Sequence, residues 1–254
     1  MVKILLSGCN GKMGRVISAC VRERGDCKII GGVDLCTETP FDYPVYASFD
    51  GLNLSADVLI DFSHVSVLTP LLTYAVKEKI PAVLCSTGYS DLQVEEIHRA
   101  AEILPVFYSR NMSMGINLLL ELAKKAAAVL GSQFDVEIIE KHHNLKIDAP
   151  SGTALMLADA VSEALPEPVM YEYNRHAQRK KRGKNEIGIH AVRGGTIVGE
   201  HEVLFAGHDE IISLTHIAQS KEVFATGSVN AAVYLAACSA PGLYDMGNLL
   251  AAAD

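Results

Sequence analysis

The sequence predicts an α/β fold in which a doubly wound parallel sheet is joined to a second, α+β domain with a mixed sheet. In the first half, short runs rich in Val, Ile and Leu alternate with helical patterns, which is typical of a parallel sheet with helices on both faces. In the second half, strand-like stretches follow one another without helices between them, which indicates an antiparallel or mixed sheet. The length of 254 residues suits one sizeable domain or two small ones.

Elements of the first half are assigned from short apolar runs, which predict strands, and from the helical patterns between them. The run at Val2–Ser7 predicts a buried strand rather than a signal peptide, because it stops at Ser7-Gly8 and no small-residue cleavage pattern follows. The other predicted elements are a helix at Arg15–Arg24, strands at Lys28–Val33 and Asp57–Asp61, a helix at Val65–Lys77, a strand at Pro81–Cys85, a helix at Asp91–Ile103 and a strand at Val106–Tyr108.

The second half is assigned from the same periodicities. Its predicted elements are a helix at Ile116–Leu130, a strand at Asp135–Glu140, a helix from about Thr153 that stops before Pro166, strands at Ile187–Val192, Thr196–Phe205 and Glu210–His216, and a helix at about Glu222–Cys238. The last helix is apolar on much of its surface, so we expect it to return to the first domain. The predicted domains are residues 1–111 with 222–254, and residues 112–221.

Composition and charge exclude several classes of function. A net charge of −8 argues against nonspecific binding of nucleic acid, and no apolar stretch approaches the roughly 20 residues of a membrane helix. Six cysteines without a C-x-x-C pair predict a reducing, cytoplasmic location. A basic cluster is either a solvated loop or a positive field that attracts an anionic substrate; it contains Arg175, Arg179, Lys180, Lys181, Arg182 and Lys184.

A glycine-rich turn follows the first predicted strand. Gly8, Gly11 and Gly14 have G-x-x-G-x-x-G spacing, so the backbone can turn tightly and approach a pyrophosphate at the N-terminus of the next helix. This context predicts a Rossmann-like dinucleotide site, with a purely structural turn as the alternative. The predicted cofactor-binding residues of the turn are Gly8, Cys9, Asn10, Gly11, Lys12 and Met13.

Asp34 follows the second predicted strand, where a ribose-binding carboxylate is expected. It can accept hydrogen bonds from the adenosine ribose hydroxyls and would repel a 2′-phosphate. Its neighbour Leu35 cannot pair with that phosphate, and Lys12 is the only nearby cation in sequence. We therefore expect a preference for NADH, with NADPH tolerated through Lys12. An ordinary turn carboxylate is the alternative for Asp34.

Two further polar segments end predicted strands that face the same crevice by the switch-point rule. Small and polar side chains there suit a nicotinamide ribose and carboxamide, although each segment alone is also an ordinary turn. The predicted cofactor contacts are Cys85, Ser86 and Thr87 after one strand, and Ser109, Arg110, Asn111 and Met112 after the next.

The densest chemistry lies where the chain leaves the strand at residue 140, crosses a polar loop and opens a helix. Ser151 is the expected N-cap, and the helix start at Gly152 and Thr153 is suited to a carboxylate, because the first backbone N–H groups of a helix have no acceptor within it. Lys146 adds a positive charge, and the histidines at 142 and 143 supply donors or a transferable proton. The segment predicts a small anionic substrate that accepts a hydride from the cofactor and a proton from the protein.

Other interpretations of this segment are weaker. Adjacent histidines rarely both reach one ion and no H-E-x-x-H or H-x-H pattern is present, so no metal site is predicted. Ser151 lacks the G-x-S-x-G context of a nucleophile. A merely structural polar loop remains an alternative on spacing alone.

The segment resembles the signature of the 4-hydroxy-tetrahydrodipicolinate reductase (dihydrodipicolinate reductase) family. The family pattern, approximately E-x-H-H-x-x-K-x-D-A-P-S-G-T-A, is matched at every specified position by Glu140–Ala154. Further family patterns are matched at Gly8–Gly14, Arg193–His201 and His216–Gly227, so the resemblance covers nearly the whole chain.

The resemblance implies an enzyme that uses NADH or NADPH to reduce a small dicarboxylate, 4-hydroxy-tetrahydrodipicolinate, to tetrahydrodipicolinate on the diaminopimelate route to lysine. It implies that hydride goes to C4 as the hydroxyl is lost, that residues 1–111 and 222–254 bind the dinucleotide, and that residues 112–221 bind substrate and assemble a homotetramer. The implied catalytic residues are His142, the proton donor, and Lys146, and the implied substrate-binding residues are His143, Ser151, Gly152 and Thr153.

Some positions depart from the family pattern. Lys221 replaces a frequent Arg and Leu35 replaces a basic residue that favours NADPH, while Cys85 and Met112 stand where Gly and Phe are common. Two other functions are less consistent with these residues than the reductase. An inactive dinucleotide sensor would not need both His142 and Lys146, and a dehydrogenase for another small acid would lack the complete signature.

Overall fold

The computed structural model describes residues 1–252, and the chain divides into two compact units. Unit 1 comprises Met1–Met114 with Glu222–Asp254, and unit 2 comprises Gly115–Lys221. In chain order the elements are β1 (Val2–Ser7), α1 (Lys12–Arg22), β2 (Cys27–Val33), β3 (Val45–Tyr46), β4 (Val58–Asp61), α2 (Leu68–Glu78), β5 (Ala82–Leu84), α3 (Asp91–Ala101), β6 (Pro105–Tyr108), α4 (Met114–Leu130), β7 (Asp135–His142), α5 (Gly152–Ala164), β8 (Met170–Glu172), β9 (Glu186–Arg193), β10 (Gly199–Ala206), β11 (Ile211–Ala218), α6 (Glu222–Ala236), β12 (Gly242–Tyr244) and α7 (Met246–Ala251).

The sheet of unit 1 is parallel and doubly wound, as predicted. Its strand order is β12-β6-β5-β4-β1-β2-β3, and each neighbouring pair is parallel. The chain therefore builds outward in both directions from β1 and β4. The turns after these two strands lie at the carboxyl edge, at the switch point where such sheets bind ligands.

The central strands of unit 1 are buried because helices cover both faces of the sheet. Ile4–Leu6 in β1 and Val58–Ile60 in β4 have no exposed surface, and each fully buried aliphatic side chain contributes roughly 1.5–3 kcal/mol. Helix α6 packs on β4 and β5 and against α1. Gly227 lets α6 lie close to the segment after β6, since a Cβ there would lie 1.7 Å from the carbonyl oxygen of Met112.

The sheet of unit 2 is mixed, as predicted, with strand order β11-β10-β7-β9-β8. β10 is antiparallel to β11 and β7, whereas β7, β9 and β8 are parallel. Helices α4 and α5 pack on one face. The two-residue period of β7 puts Val136 and Ile138 on that face and continues it to Glu140 and His142, which are also buried. The core face of the strand thus ends in two polar side chains.

Several element boundaries differ from the predictions. Helix α1 begins at Lys12 instead of Arg15, because Gly11 serves as its N-cap. The predicted strand from Thr196 begins at Gly199, and the predicted helix from Val65 opens with a 3-10 turn at Val65–Val67. The prediction missed the short elements β3, β8, β12 and α7, which are two to six residues long. A strand of two or three residues is too short to show an alternating pattern.

Candidate active site

A buried carboxylate and a histidine lie together at the end of β7. Glu140 has no exposed surface, and its Oε2 is 2.6 Å from Nδ1 of His142. An ionised carboxylate can only accept, so the Nδ1–H group of His142 donates this bond. The ring atom Nε2 lies towards Gly199, where a Cβ would approach it to 3.1 Å. Glycine at this position therefore keeps the space beside Nε2 open.

Arg193, the last residue of β9, holds the same carboxylate from a second side. Its Nη1 and Nη2 donate to the two oxygens of Glu140 at 2.8 and 2.7 Å. Burial raises the pKa of Glu140, but the bonds from Arg193 and His142 outweigh burial and leave the pKa below its ordinary value. Glu140 is therefore ionised throughout the neutral range.

Helix α5 begins beside this carboxylate. Ser151 is its N-cap, as predicted: the Ser151 hydroxyl accepts from the backbone N–H of Ala154 at 3.1 Å. The backbone N–H of Ser151 donates to Glu140 at 3.0 Å. Gly152, the first residue of the helix, is exposed. The helix start is thus fixed to the end of β7, with its N-terminal dipole open to an anion.

The loop between β7 and α5 carries the predicted lysine. Lys146 forms an ion pair of 2.8 Å with Asp148, which lowers the pKa of the Asp148 carboxyl. Nδ1 of His143 is buried and has no hydrogen-bond partner among the residues that the structure describes. His143 thus retains a polar atom for a ligand, while the Lys146 ammonium is held by its neighbour and not by Glu140.

A third histidine, His201 on β10, contacts the start of α5. Its Nε2 is 3.0 Å from the Ser151 hydroxyl, and its ring meets that of His142 edge to face at 5.1 Å. Burial, reinforced by nearby His142, lowers the pKa of His201 to about 4. His201 is therefore a neutral structural partner of Ser151 near pH 7.

This shift predicts how stability depends on pH. The pKa of His201 is about 4 in the folded protein and ordinarily 6.5, so between these values the unfolded chain binds a proton that the folded chain does not. Stability should fall as the pH drops from 6.5 towards 4, by up to about 1.4 kcal/mol per pH unit for one proton. Urea unfolding across this window should show that slope reduced in His201→Asn but not in His208→Asn, whose imidazole is 95% exposed. Equal slopes in wild type and His201→Asn would contradict the assignment.

Two arginines of the basic cluster, Arg175 and Arg182, form ion pairs away from this site and so do not supply a positive field beside His142. Arg182 pairs with Asp135 at the start of β7, and Arg175 pairs with Glu186 at the start of β9. Both strands run from there towards His142 and Arg193. An eight-residue strand separates the two ends by roughly 23 Å.

The glycine turn of unit 1 contains positions that only glycine can occupy. Gly8 has φ +77°, and a Cβ there would lie 2.7 Å from the carbonyl oxygen of Phe62. A Cβ on Gly14 would lie 2.2 Å from the carbonyl oxygen of Gly8. Gly11 caps α1 without a side-chain hydrogen bond, so the first N–H groups of that helix are left for a ligand.

A cavity of about 410 Å³ adjoins this turn. Its lining includes Ser7, Gly8, Gly11 and Asp34 together with apolar residues such as Phe49. The hydroxyl of Ser7 is buried and has no hydrogen-bond partner within residues 1–252. A partly apolar cavity with an unpartnered hydroxyl, a carboxylate and an uncapped helix fits an adenosine diphosphate group.

Asp34 also braces the turn. Its two oxygens accept from the backbone N–H groups of Asn10 at 2.9 Å and Cys36 at 3.2 Å. Cys9 lies buried beneath the turn, where burial and the Asp34 charge raise its pKa to about 11. Lys12 is exposed as the first residue of α1, followed by half-buried Met13.

The other predicted cofactor segments lie at the carboxyl ends of β5 and β6. The Ser86 hydroxyl donates to buried Asp61 at the end of β4 at 2.8 Å, beside buried Cys85 and exposed Thr87. After β6, the Ser109 hydroxyl donates to the carbonyl oxygen of Asn111 at 3.2 Å, Arg110 is exposed and Met112 is buried. Sequence reasoning assigned no role to Asp61, although its position at a strand end at the switch point was a usable signal.

Sequence reasoning also gave no role to Glu140, Arg193 or His201. All three belong to the matched family patterns, and the alternation of Glu140 and His142 on one strand face was visible. Within residues 1–252, no cluster of His, Cys, Asp or Glu side chains is suited to hold a metal ion. In the same residues, no helix has the length and apolar character needed to cross a membrane.

Comparison with known families matches both units. Residues 2–112 match the family described as dihydrodipicolinate reductase, N-terminus, and residues 115–250 match dihydrodipicolinate reductase, C-terminus. The 4-hydroxy-tetrahydrodipicolinate reductase of Caldanaerobacter subterraneus is 49% identical over 98% of each chain. The reductase of the same name from Clostridium novyi is 47% identical, also over 98% of each chain.

A solved structure agrees with these sequence matches. The dipicolinate-bound dihydrodipicolinate reductase from a Paenisporosarcina species superposes with a TM-score of 0.81 and is 25% identical. The match covers 96% of this chain and 97% of the other. Sequence and fold therefore point to the same group of proteins.

Proposed function

The chain belongs to the dihydrodipicolinate reductase family and is an oxidoreductase of diaminopimelate and lysine biosynthesis, and we propose how its own residues carry out that reaction. The substrate is 4-hydroxy-tetrahydrodipicolinate and the product is tetrahydrodipicolinate. The observation that carries the assignment is the arrangement at the end of β7, where His142 lies beside the N-terminus of α5 and both are fixed by Glu140.

His142 donates the proton in this proposal. Its Nδ1 is committed to Glu140, so the doubly protonated ring gives up the proton on Nε2, beside Gly199, and is left neutral with its remaining proton on Nδ1. Lys146 supplies positive charge that orients the substrate and assists protonation. The ion pair with exposed Asp148 holds the Lys146 ammonium near the loop, where a substrate carboxylate can compete for it.

The substrate carboxylates bind around the start of α5. The helix N-terminus attracts negative charge, and exposed Gly152 lets a ligand approach the backbone closely. His143 contributes its imidazole, whose Nδ1 is otherwise unpartnered among residues 1–252. Ser151 fixes the position of the first turn of α5 as its N-cap. Thr153 is the remaining proposed substrate-binding residue.

A nicotinamide dinucleotide binds to unit 1 in this proposal and, when bound, supplies the hydride. The glycine turn holds the pyrophosphate against the N-terminus of α1, and Asp34 accepts from the adenosine ribose. The predicted contacts are Gly8, Cys9, Asn10, Gly11, Lys12, Met13 and Asp34 at the first turn, and Cys85, Ser86, Thr87, Ser109, Arg110, Asn111 and Met112 at the later strand ends.

The cofactor preferred by this chain is NADH. The cavity beside the turn is lined by two carboxylates, Asp34 and Asp50, and none of its described lining residues is Lys or Arg. Leu35 is 95% exposed at the rim, at the position next to Asp34. A 2′-phosphate would therefore meet negative charge in the cavity, with Lys12 outside its lining as the nearby cation in sequence.

A charge introduced at Leu35 tests this preference. We expect Leu35→Arg to raise kcat/KM for NADPH relative to NADH by roughly tenfold, which corresponds to about 1.4 kcal/mol. Leu35→Gln, similar in length but uncharged, should leave the ratio unchanged, and Lys12→Ala should weaken NADPH more than NADH. A wild-type enzyme that already prefers NADPH would contradict the argument from Asp34 and Leu35.

The active protein is a homotetramer in the cytoplasm in this proposal. One face of the unit 2 sheet is covered by helices, whereas the other exposes Ile211 and Ile217 of β11 and Val192 of β9. Apolar side chains on such a face support assembly through the sheet. All six cysteines are free thiols, which supports a reducing compartment. A monomer in sedimentation equilibrium would contradict the assembly.

The experiment that tests the function couples the purified protein to a dihydrodipicolinate synthase. Oxidation of NADH or NADPH is measured as the decrease in absorbance of the reduced nicotinamide. We expect oxidation only when the synthase, its substrates and this protein are all present. No oxidation with either cofactor would overturn the proposal.

A further inference from the structure

We propose that Glu140 is a positioning residue that fixes the tautomer of His142, and that Arg193 holds the Glu140 carboxylate in place for this purpose. The proposal deepens the proposed function and rests on it in one respect, the assignment of His142 as the proton donor. Arg193, Glu140 and His142 form a row of hydrogen-bonded side chains, and only the imidazole of His142 acts on the reaction directly.

The hydrogen bonds around Glu140 allow one arrangement of protons. The carboxylate has no exposed surface and receives four donors: Nδ1 of His142, both Nη groups of Arg193 and the backbone N–H of Ser151. The arginine and the backbone have no acceptor to offer, so the carboxylate is ionised and acceptor-only. The proton between Glu140 and His142 therefore stays on Nδ1, and Nε2 is the position that exchanges.

Arg193 also reaches the loop that carries the proposed catalytic lysine. Its Nη2 donates to the carbonyl oxygen of Asp148 at 2.6 Å, and Asp148 is the partner of Lys146. The next residue along, Gly194, donates its backbone N–H to the carbonyl oxygen of His142 at 2.9 Å. Arg193 thus fixes both the Glu140 carboxylate that binds His142 and, at Asp148, one end of the loop that carries Lys146.

Replacement of Glu140 by glutamine tests the proposal with little change in shape. Each carboxylate oxygen accepts from one Nη group of Arg193. The second donor to Oε1 is the backbone N–H of Ser151, which cannot accept a hydrogen bond, whereas the second donor to Oε2 is Nδ1 of His142, which accepts in the other tautomer. The glutamine amide nitrogen is therefore least unfavourable beside His142, where it donates to Nδ1 and moves the imidazole proton to Nε2. A fixed but inverted tautomer is expected to lower kcat by roughly 10²–10⁴. The KM for substrate and the affinity for dipicolinate should change by less than about threefold.

The matched control is Glu137→Gln. Glu137 lies three residues earlier on β7, on the opposite face, and is likewise bound to arginines, Arg175 and Arg182. It has no contact with the site, so kcat should stay within about twofold of wild type. An equal loss of kcat in Glu140→Gln and Glu137→Gln would overturn the specific role of Glu140, because it would show that any arginine-paired carboxylate on β7 is needed for activity.

The tautomer itself is measured without activity. In protein labelled with nitrogen-15 at histidine, the His142 signals are identified by their loss in His142→Gln. With the imidazole neutral, we expect its single proton on Nδ1 in wild type and on Nε2 in Glu140→Gln. Because this measurement needs no turnover, failure of the proposed function leaves it intact.

A second variant keeps the test decisive if Glu140→Gln does not fold. Arg193→Lys retains the charge but cannot bind both carboxylate oxygens, so we expect a partial loss of kcat and a mixed tautomer. Wild-type protein with the His142 proton on Nε2, or Glu140→Gln with unchanged kcat, would overturn the proposal. So would an equal effect of Glu140→Gln on kcat and on dipicolinate binding, because that would indicate a merely structural role.

Discussion

Replacement of His142 by glutamine is expected to lower kcat by roughly 10²–10⁴, since the side chain then cannot transfer a proton in the transition state. Glutamine is similar in length and can still bond to Glu140, so the end of β7 should keep its shape. Affinities for reduced cofactor and for dipicolinate should stay close to those of wild type. The measurement is steady-state kinetics in the synthase-coupled assay, together with direct titration of both ligands.

The control for this variant is His190→Gln. His190 lies on β9 and contacts Glu137 at 2.7 Å, away from the end of β7 that carries His142. Its replacement should leave kcat unchanged. A near-normal rate for His142→Gln would reassign His142 to substrate binding or to structure, and it would also remove the premise on which the role of Glu140 rests.

Replacement of Gly14 by alanine is expected to damage the cofactor site and the stability of unit 1 together. The new Cβ would lie 2.2 Å from the carbonyl oxygen of Gly8 and 2.5 Å from that of Cys9. Both are backbone atoms, so the glycine turn must move away from α1. We expect a loss of about 3 kcal/mol in the free energy of unfolding and at least roughly tenfold weaker binding of NADH.

Gly25→Ala provides the comparison for that loss. Gly25 lies beyond the end of α1 and has no atom within 4 Å of a built Cβ, so the alanine should be tolerated with unchanged NADH affinity. Chemical unfolding and fluorescence titration of NADH measure the two effects. Gly14→Ala with wild-type stability and wild-type affinity would show that the turn is not held against the helix as the structure indicates.

The architecture could be predicted because two periodicities dominate the sequence. The continuous apolar runs of β1 and β4 are those of strands covered on both faces, and the glycines after β1 mark the switch point. The short elements could not be predicted in this way. β3 has only two residues and is a strand because it pairs with β2. Pairing between segments that are distant in sequence cannot be read from a local sequence pattern. Only α7 left a usable signal, the capping box of Asp245 and Asn248.

Most of the site was predicted where its residues are close in sequence, with Glu140 as the exception, and it was missed where they are far apart. His142, Lys146 and Ser151 belong to one loop, and the N-cap geometry of Ser151 follows from local chemistry. Arg193 reaches Glu140 from 53 residues away, which depends on the parallel pairing of β7 with β9. The basic cluster was left open between a solvated loop and a field near the substrate, because its charge is visible in the sequence but the strand ends that Arg175 and Arg182 bind are not.

In the mechanism proposed above, this chain reduces 4-hydroxy-tetrahydrodipicolinate with His142 as the proton donor. The decisive experiment measures cofactor oxidation and product together in the synthase-coupled reaction, with wild type and His142→Gln side by side. We expect wild type to form tetrahydrodipicolinate in an amount equal to the NADH consumed, and the variant to bind both ligands but turn over roughly 10²–10⁴ times more slowly. Wild type that consumes neither NADH nor NADPH, or a variant as fast as wild type, would contradict it.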